Sequence, residues 1–109
     1  MAAFLPQEIT GLRRNILNLG ATVEQRIQWA LDALSERNPR LAAEICARDG
    51  EIDELEIEIE EECLRILALT QPVATDLRFV LAAMRVNTNF ERMGDLAASI
   101  AQRVIDLCR

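Results

Sequence analysis

The sequence predicts an all-α protein, an antiparallel up-down-up bundle of three long helices. Three observations predict it. Apolar residues recur every seven positions through most of the chain; turn signals are few, with four glycines, three prolines and no tyrosine in 109 residues; and two breaks, Asn38-Pro39 and Gln71-Pro72, cut the chain into three segments of similar length. Half of the residues are apolar, enough for a modest helical core in one domain.

The first helix is expected from about Pro6, a residue suited to a first helical turn, to about Arg37. Its packing stripe is Ile9, Ile16, Val23 and Ala30, with Leu12, Leu19, Ile27 and Leu34 beside it. Asn38 then caps the next helix and Pro39 enters its first turn.

The second helix is expected over residues 39–70. From Leu55 to Glu60 the pattern alternates as a half-buried strand would, but Ile45, Ile52, Ile59 and Ile66 keep a seven-residue spacing that no strand of ordinary length can use. Cys46, Leu55, Cys63 and Leu69 widen that face. Gly50 costs about 1 kcal/mol relative to alanine inside a helix, which predicts a close approach to the backbone there.

Gln71-Pro72-Val73-Ala74 is the second turn, Thr75 or Asp76 is the expected cap, and the third helix runs over about residues 75–108. One seam, Phe79, Val86, Met93, Ile100 and Leu107, is apolar throughout. A second, Leu77, Met84, Glu91, Ala98 and Ile105, is broken only at Glu91, and a carboxylate on a packing face is costly unless paired or ligated. Helices of about 45 Å make a thin rod, and two apolar seams on one helix exceed what two neighbours can cover. A second copy is therefore expected, giving a homodimer with a six-helix body.

The twelve basic residues, all arginine, face eighteen acids, for a net charge of −6. Eight of the twelve positions from Glu51 to Glu62 are acidic. Such a surface repels nucleic-acid phosphates and anionic lipid, and no apolar run reaches the length that spans a bilayer. Cys46, Cys63 and Cys108 lack metal or redox spacing and sit among apolar residues, so they are expected as small core residues of a cytoplasmic protein. There is no histidine, no nucleophile beside a base and no glycine-rich phosphate loop, and a rod without an evident pocket is a poor enzyme.

Two acidic signatures hold the functional signal. Asp49-Gly50-Glu51-Ile52-Asp53 and Glu91-Arg92-Met93-Gly94-Asp95 each set carboxylates one helical turn apart. Asp53 and Glu91 each lie 19 residues from Pro72, and Asp49 and Asp95 each lie 23. A hairpin at that proline puts both pairs about 28–35 Å from the turn, at one height. Asp49, Asp53, Glu91 and Asp95 then converge, with Glu56 one turn beyond Asp53. An all-oxygen set selects hard cations such as Fe³⁺, Mn²⁺, Mg²⁺ or Ca²⁺, with zinc less natural. The competing reading is a solvated acidic face, paired with Arg48, Arg85 and Arg92, on a plain helical scaffold or adaptor that holds no metal.

The ordered set Arg48-Asp49-Gly50-Glu51-Ile52-Asp53-Glu54-Leu55-Glu56, then Cys63, then Gln71-Pro72-Val73-Ala74-Thr75-Asp76-Leu77-Arg78, then Phe90-Glu91-Arg92-Met93-Gly94-Asp95-Leu96-Ala97 resembles the PhoU family of phosphate-uptake regulators. Leu19-Gly20-Ala21-Thr22-Val23-Glu24 resembles that family's first helix. The resemblance implies a cytoplasmic, non-enzymatic regulator of phosphate uptake and the phosphate-starvation response. Such a protein acts by contact between a phosphate ABC transporter and a sensor histidine kinase. It also implies iron or zinc, possible as a multinuclear cluster, on the family's two acidic motifs, here Asp49 with Asp53 and Glu91 with Asp95. Typical members of the family carry two three-helix repeats, whereas residues 1–109 are read as one. The chain is therefore expected to be an N-terminal fragment or a single repeat that dimerises.

Overall fold

The computed structural model describes residues 5–109, so the first four residues of the expected 1–109 repeat lie outside the described ones. Helix α1 (Leu5–Glu36) stops where Arg37 turns left-handed, at φ 51°. Asn38 N–H then bonds Ala33 O at 2.9 Å and Arg37 N–H bonds Leu34 O at 3.3 Å, a pair that closes the orphan carbonyls of a helix end. Asn38 caps α2 (Pro39–Ala47) as expected, its Oδ1 accepting from Leu41 N–H at 3.1 Å. Helix α3 (Asp49–Thr70) follows, Gln71 reverses the chain in the left-handed region at φ 48°, and α4 (Ala74–Leu107) returns.

Cross-helix contacts fix the directions. Glu8 meets Arg65, Asn15 meets Glu62 and Arg26 meets Glu51, so α1 and α3 are antiparallel. Gly94 lies against Ile52, and Asn87 bonds Glu56, so α3 and α4 are antiparallel too. The result is an up-down-up bundle, a rod of 56 × 18 × 17 Å.

The middle arm departs from the single helix expected over 39–70. It breaks at Arg48, whose φ of −98° and ψ of 2° end α2. Arg48 N–H reaches Ile45 O at 3.2 Å and Glu51 N–H reaches Arg48 O at 3.0 Å, so the ladder tightens by one residue per turn without reversing. Ile45, Ile52, Ile59 and Ile66 all remain buried across the break. The expected cap of the last helix is also corrected: Val73 occupies that position without a side-chain bond, and Thr75 and Asp76 fall inside the first turn.

Two cores fill the rod. Near the Pro72 turn, Ile9, Leu12, Leu19, Val23, Ile52, Ile59, Cys63, Ile66 and Val80 pack together; at the far end Ala30, Ala33, Ala42, Ile45, Ala97, Ala101 and Val104 do. The buried line of α4 is Val80, Ala83, Asn87, Gly94, Ala97, Ala101 and Val104. Neither expected seam is the core line, because the line is made of small residues that let helices close up. The larger residues flank it, with Met93 43% and Leu107 76% exposed. Leu34 and Leu69 are likewise exposed rather than packed. Of the cysteines, Cys63 is buried as expected, whereas Cys46 is half-buried and Cys108 exposed.

Candidate metal centre

The acidic signatures meet where Gly94 of α4 packs against Ile52 of α3. A Cβ placed on Gly94 would lie 3.0 Å from both Cδ1 and Cγ2 of Ile52, so glycine is what lets the two backbones come together at this level. The close approach expected at Gly50 is absent, for nothing lies within 4 Å of a Cβ built there. One turn from Glu91, the buried Asn87 donates from Nδ2 to Glu56 O at 2.9 Å and ties the same two helices.

Asp53, Glu91 and Asp95 each offer a carboxylate oxygen, and these oxygens lie within 4.8 Å of one another. Asp53 and Glu91 are half-buried and Asp95 is exposed. Glu91 flanks the buried line of α4, so its charge remains hydrated in part. Burial first, then a hydrogen bond with Asp95 and the charges of Asp95, Asp53 and Glu56, push the Glu91 carboxyl above the usual carboxylate range.

Asp49 and Glu56 fall outside that group of three but inside its field. Burial raises the Asp49 pKa, as do the charges of Asp53 and Asp95, with Arg26 pulling the other way. Burial, Glu60 and Asp53 raise that of Glu56. The donor set fits a hard cation: two oxygens on one ion at ordinary lengths of about 2.0–2.6 Å lie at most about 4–5 Å apart.

The arginine pairing expected of a plain acidic face does not form here. Among the described residues the ion pairs are Arg26–Glu51, Arg48 with Glu44 and Glu51, and Arg65–Glu8, none of which uses Asp49, Asp53, Glu91 or Asp95. Arg26 itself was missing from the sequence reading. It follows Leu12 and Leu19 at seven-residue spacing, so the seam test that singled out Glu91 would have found it.

A groove of about 540 Å³ does open on the rod, contrary to expectation, but between α1 and α4. It is lined mainly by Ile16, Leu17, Gly20, Ile27, Phe90 and Met93, with Glu24 its one charged lining residue. No described helix is long and apolar enough to cross a membrane.

One family model, the PhoU domain, matches residues 16–104 of the chain. The chain belongs to the PhoU family. It is 45% identical over 98 residues to a phosphate-specific transport system accessory protein PhoU homolog of Zymomonas mobilis, covering 90% of this chain and 41% of that protein. A PhoU homolog of Pseudomonas aeruginosa is 38% identical over 101 residues, covering 93% and 42%. The crystal structure of PhoU from Pseudomonas aeruginosa superposes with a TM-score of 0.91 at 37% identity, over 94% of this chain and 49% of that one. The chain thus spans about two fifths of the length of these PhoU relatives and half of the crystallised PhoU chain.

Proposed function

We propose that this chain is a non-catalytic helical adaptor that regulates phosphate uptake and the phosphate-starvation response, working in the cytoplasm by contact with a phosphate ABC transporter and a sensor histidine kinase. The observation that carries this reading is likeness over nine tenths of the chain to accessory proteins of phosphate-specific transport. The open groove supports it too: its lining is mostly apolar, with Glu24 its one charged residue, which suits a protein contact rather than bond-making chemistry. Loss of the gene should raise a phosphate-starvation reporter at high phosphate, and expression of residues 1–109 should lower it again. A reporter indifferent to both sinks the reading.

A second element is favoured by the three converging oxygens. Asp53, Glu91 and Asp95 would hold one cation, with Asp49 and Glu56 placed to join or to bridge a further ion. The oxygen donors favour Fe³⁺, Mn²⁺ or Mg²⁺, and the family resemblance favours iron or zinc. An ion there supplies the charge that lets four acids share one level of the rod. Without it, the same acids form a hydrated face that keeps the adaptor soluble. Protein purified without added metal is expected to contain it, and Asp53→Ala with Asp95→Ala to lose it while staying helical. Full metal content in the double variant removes this site.

The exposed Leu17 and Met93 that line the α1/α4 groove support the third element, a homodimer through that face. Sedimentation should show two copies at micromolar concentration, and a monomer at high micromolar concentration counts against it.

A further inference from the structure

Charge of both signs stands beside exposed aliphatic side chains on the α3/α4 side of the rod. On α3, Glu60 lies seven residues after Asp53, and Ile57 and Leu64 lie seven apart on the neighbouring strip. On α4, Leu81 lies fourteen residues before Asp95, and Arg85 lies seven before Arg92 on the neighbouring strip. Carboxylate oxygens of Asp53 and Asp95 come within 4.8 Å of one another, so these strips flank one helix junction. Ile57, Leu64 and Leu81 are 52%, 50% and 46% exposed, and Glu60, Arg85 and Arg92 are exposed beside them. No ion pair among the described residues uses any of those three charges.

Heights along the two helices follow from their observed contacts. Ile52 lies against Gly94, and Asn87 bonds Glu56 O. Stepping along the antiparallel helices from either contact brings Leu64 level with Leu81, and Glu60 level with Arg85, to within about 3 Å. A two-fold axis running along the rod, just outside this face, keeps every height and sets α3 of each copy against α4 of the other. Leu64 of each copy then meets Leu81 of its partner, and Glu60 meets Arg85, so each match is made twice and the contact closes. Both acid clusters come to one level in this arrangement, where Arg92 of each copy supplies offsetting charge. An axis across the rod instead lays α3 on α3. Eight of the twelve residues from Glu51 to Glu62 are acidic, so like charge opposes that alternative.

We propose that the α3/α4 face is a contact between two copies of this chain, made by packing of Leu64 on Leu81 with Ile57 beside them and by ion pairing of Glu60 with Arg85. It lies on a different face from the α1/α4 groove and does not rest on the dimer read there. With both contacts formed, copies link beyond a dimer.

Sedimentation of the full chain at low ionic strength, where exposed charges are least screened, tests it. Leu17→Glu/Met93→Glu blocks the groove, so the association left in that variant reports the α3/α4 contact alone. It is expected to remain dimeric at micromolar concentration, and a monomer at high micromolar concentration overturns the proposal while leaving the groove dimer to account for any wild-type association. In the same background, Glu60→Arg and Arg85→Glu each set like charges together twice and should weaken association about tenfold or more. An equal mixture of the two reversed chains restores opposite charges at both contacts, so the dimer should return. Association that survives either reversal, or that fails to return on mixing, overturns the proposal. Circular dichroism establishes that each variant is folded. If the groove variant does not fold, the two reversals in the wild-type chain decide by the same mixing: each should lose the largest species and the mixture should recover it, and any other result overturns the contact. A folded groove variant that associates as tightly as wild type supports this contact and sinks the groove dimer, whereas a wild-type monomer at high micromolar concentration overturns both.

Discussion

The half of the rod beside the Pro72 turn and the half beyond Arg26 are built on different principles. The first is filled by Leu12, Leu19, Ile52, Ile59, Ile66 and Val80, and the second by Ala30, Ala33, Ala42, Ala97 and Ala101, with Ile45 and Val104 as its larger members. Large side chains hold helices together by area removed from water. Small ones do so by letting backbones approach, so little area is available per residue but little slack remains either. The buried Arg26, the break at Arg48 and the carboxylate cluster all fall between the two cores. Polar function is placed where neither packing scheme has to continue, which teaches that the site interrupts neither of them.

The comparison breaks most readily in the isoleucine half. Ile59→Ala is expected to cost about 2–5 kcal/mol in urea unfolding, by lost transfer energy and the cavity left behind. A loss under about 1 kcal/mol would mean that this half also closes up on small residues. In the alanine half the sensitive change is the opposite one: Ala101→Leu is expected to cost about 1–3 kcal/mol by overpacking, and an unchanged midpoint would show slack there.

Smaller effects sharpen the same contrast. Asn38→Ala removes the Oδ1 that accepts Leu41 N–H at 3.1 Å, and a loss of about 1 kcal/mol is expected from the alanine half, where less burial is available to offset it. At the boundary, Asp49, Glu56 and Glu91 are all held above ordinary carboxylate values, so the folded chain binds protons more readily than the unfolded one. The metal-free protein should therefore gain stability from these groups as pH falls from neutral toward the ordinary 3.8 of Asp and 4.5 of Glu, and lose it as pH rises through the raised folded values. A melting temperature that falls on the first steps of acidification contradicts this. The smallest effect is chemical: burial pushes the Cys63 thiol up to about 11, so Cys108, exposed at the alanine end, should react with thiol reagents first and Cys63 only on unfolding.

What was legible in the sequence follows the same division. Ile45, Ile52, Ile59 and Ile66 announce their helix face because each is large, apolar and regularly spaced, and all four are buried. The face of α4 is harder to read because its core line between Val80 and Val104 consists of alanine, glycine and asparagine, which hydropathy passes over in favour of Met93 and Leu107 at the edge. The break at Arg48 was hidden for a related reason: the isoleucine spacing runs straight through it, and no proline marks it. Convergence of Asp53, Glu91 and Asp95 was legible from equal distances to Pro72, since a hairpin converts sequence separation directly into height. The role of Gly94 was not, because close approach depends on what the facing helix brings, and here that is the branched side chain of Ile52.

The interruption at Arg48 has a mechanical consequence. Helices α1 and α4 run unbroken past it, for 32 and 34 residues, packed against each other and against the shorter segments. Two such struts splint the joint, since any hinge there would have to buckle both of them. The rod is therefore stiff against bending at this level, whatever slack the break itself allows.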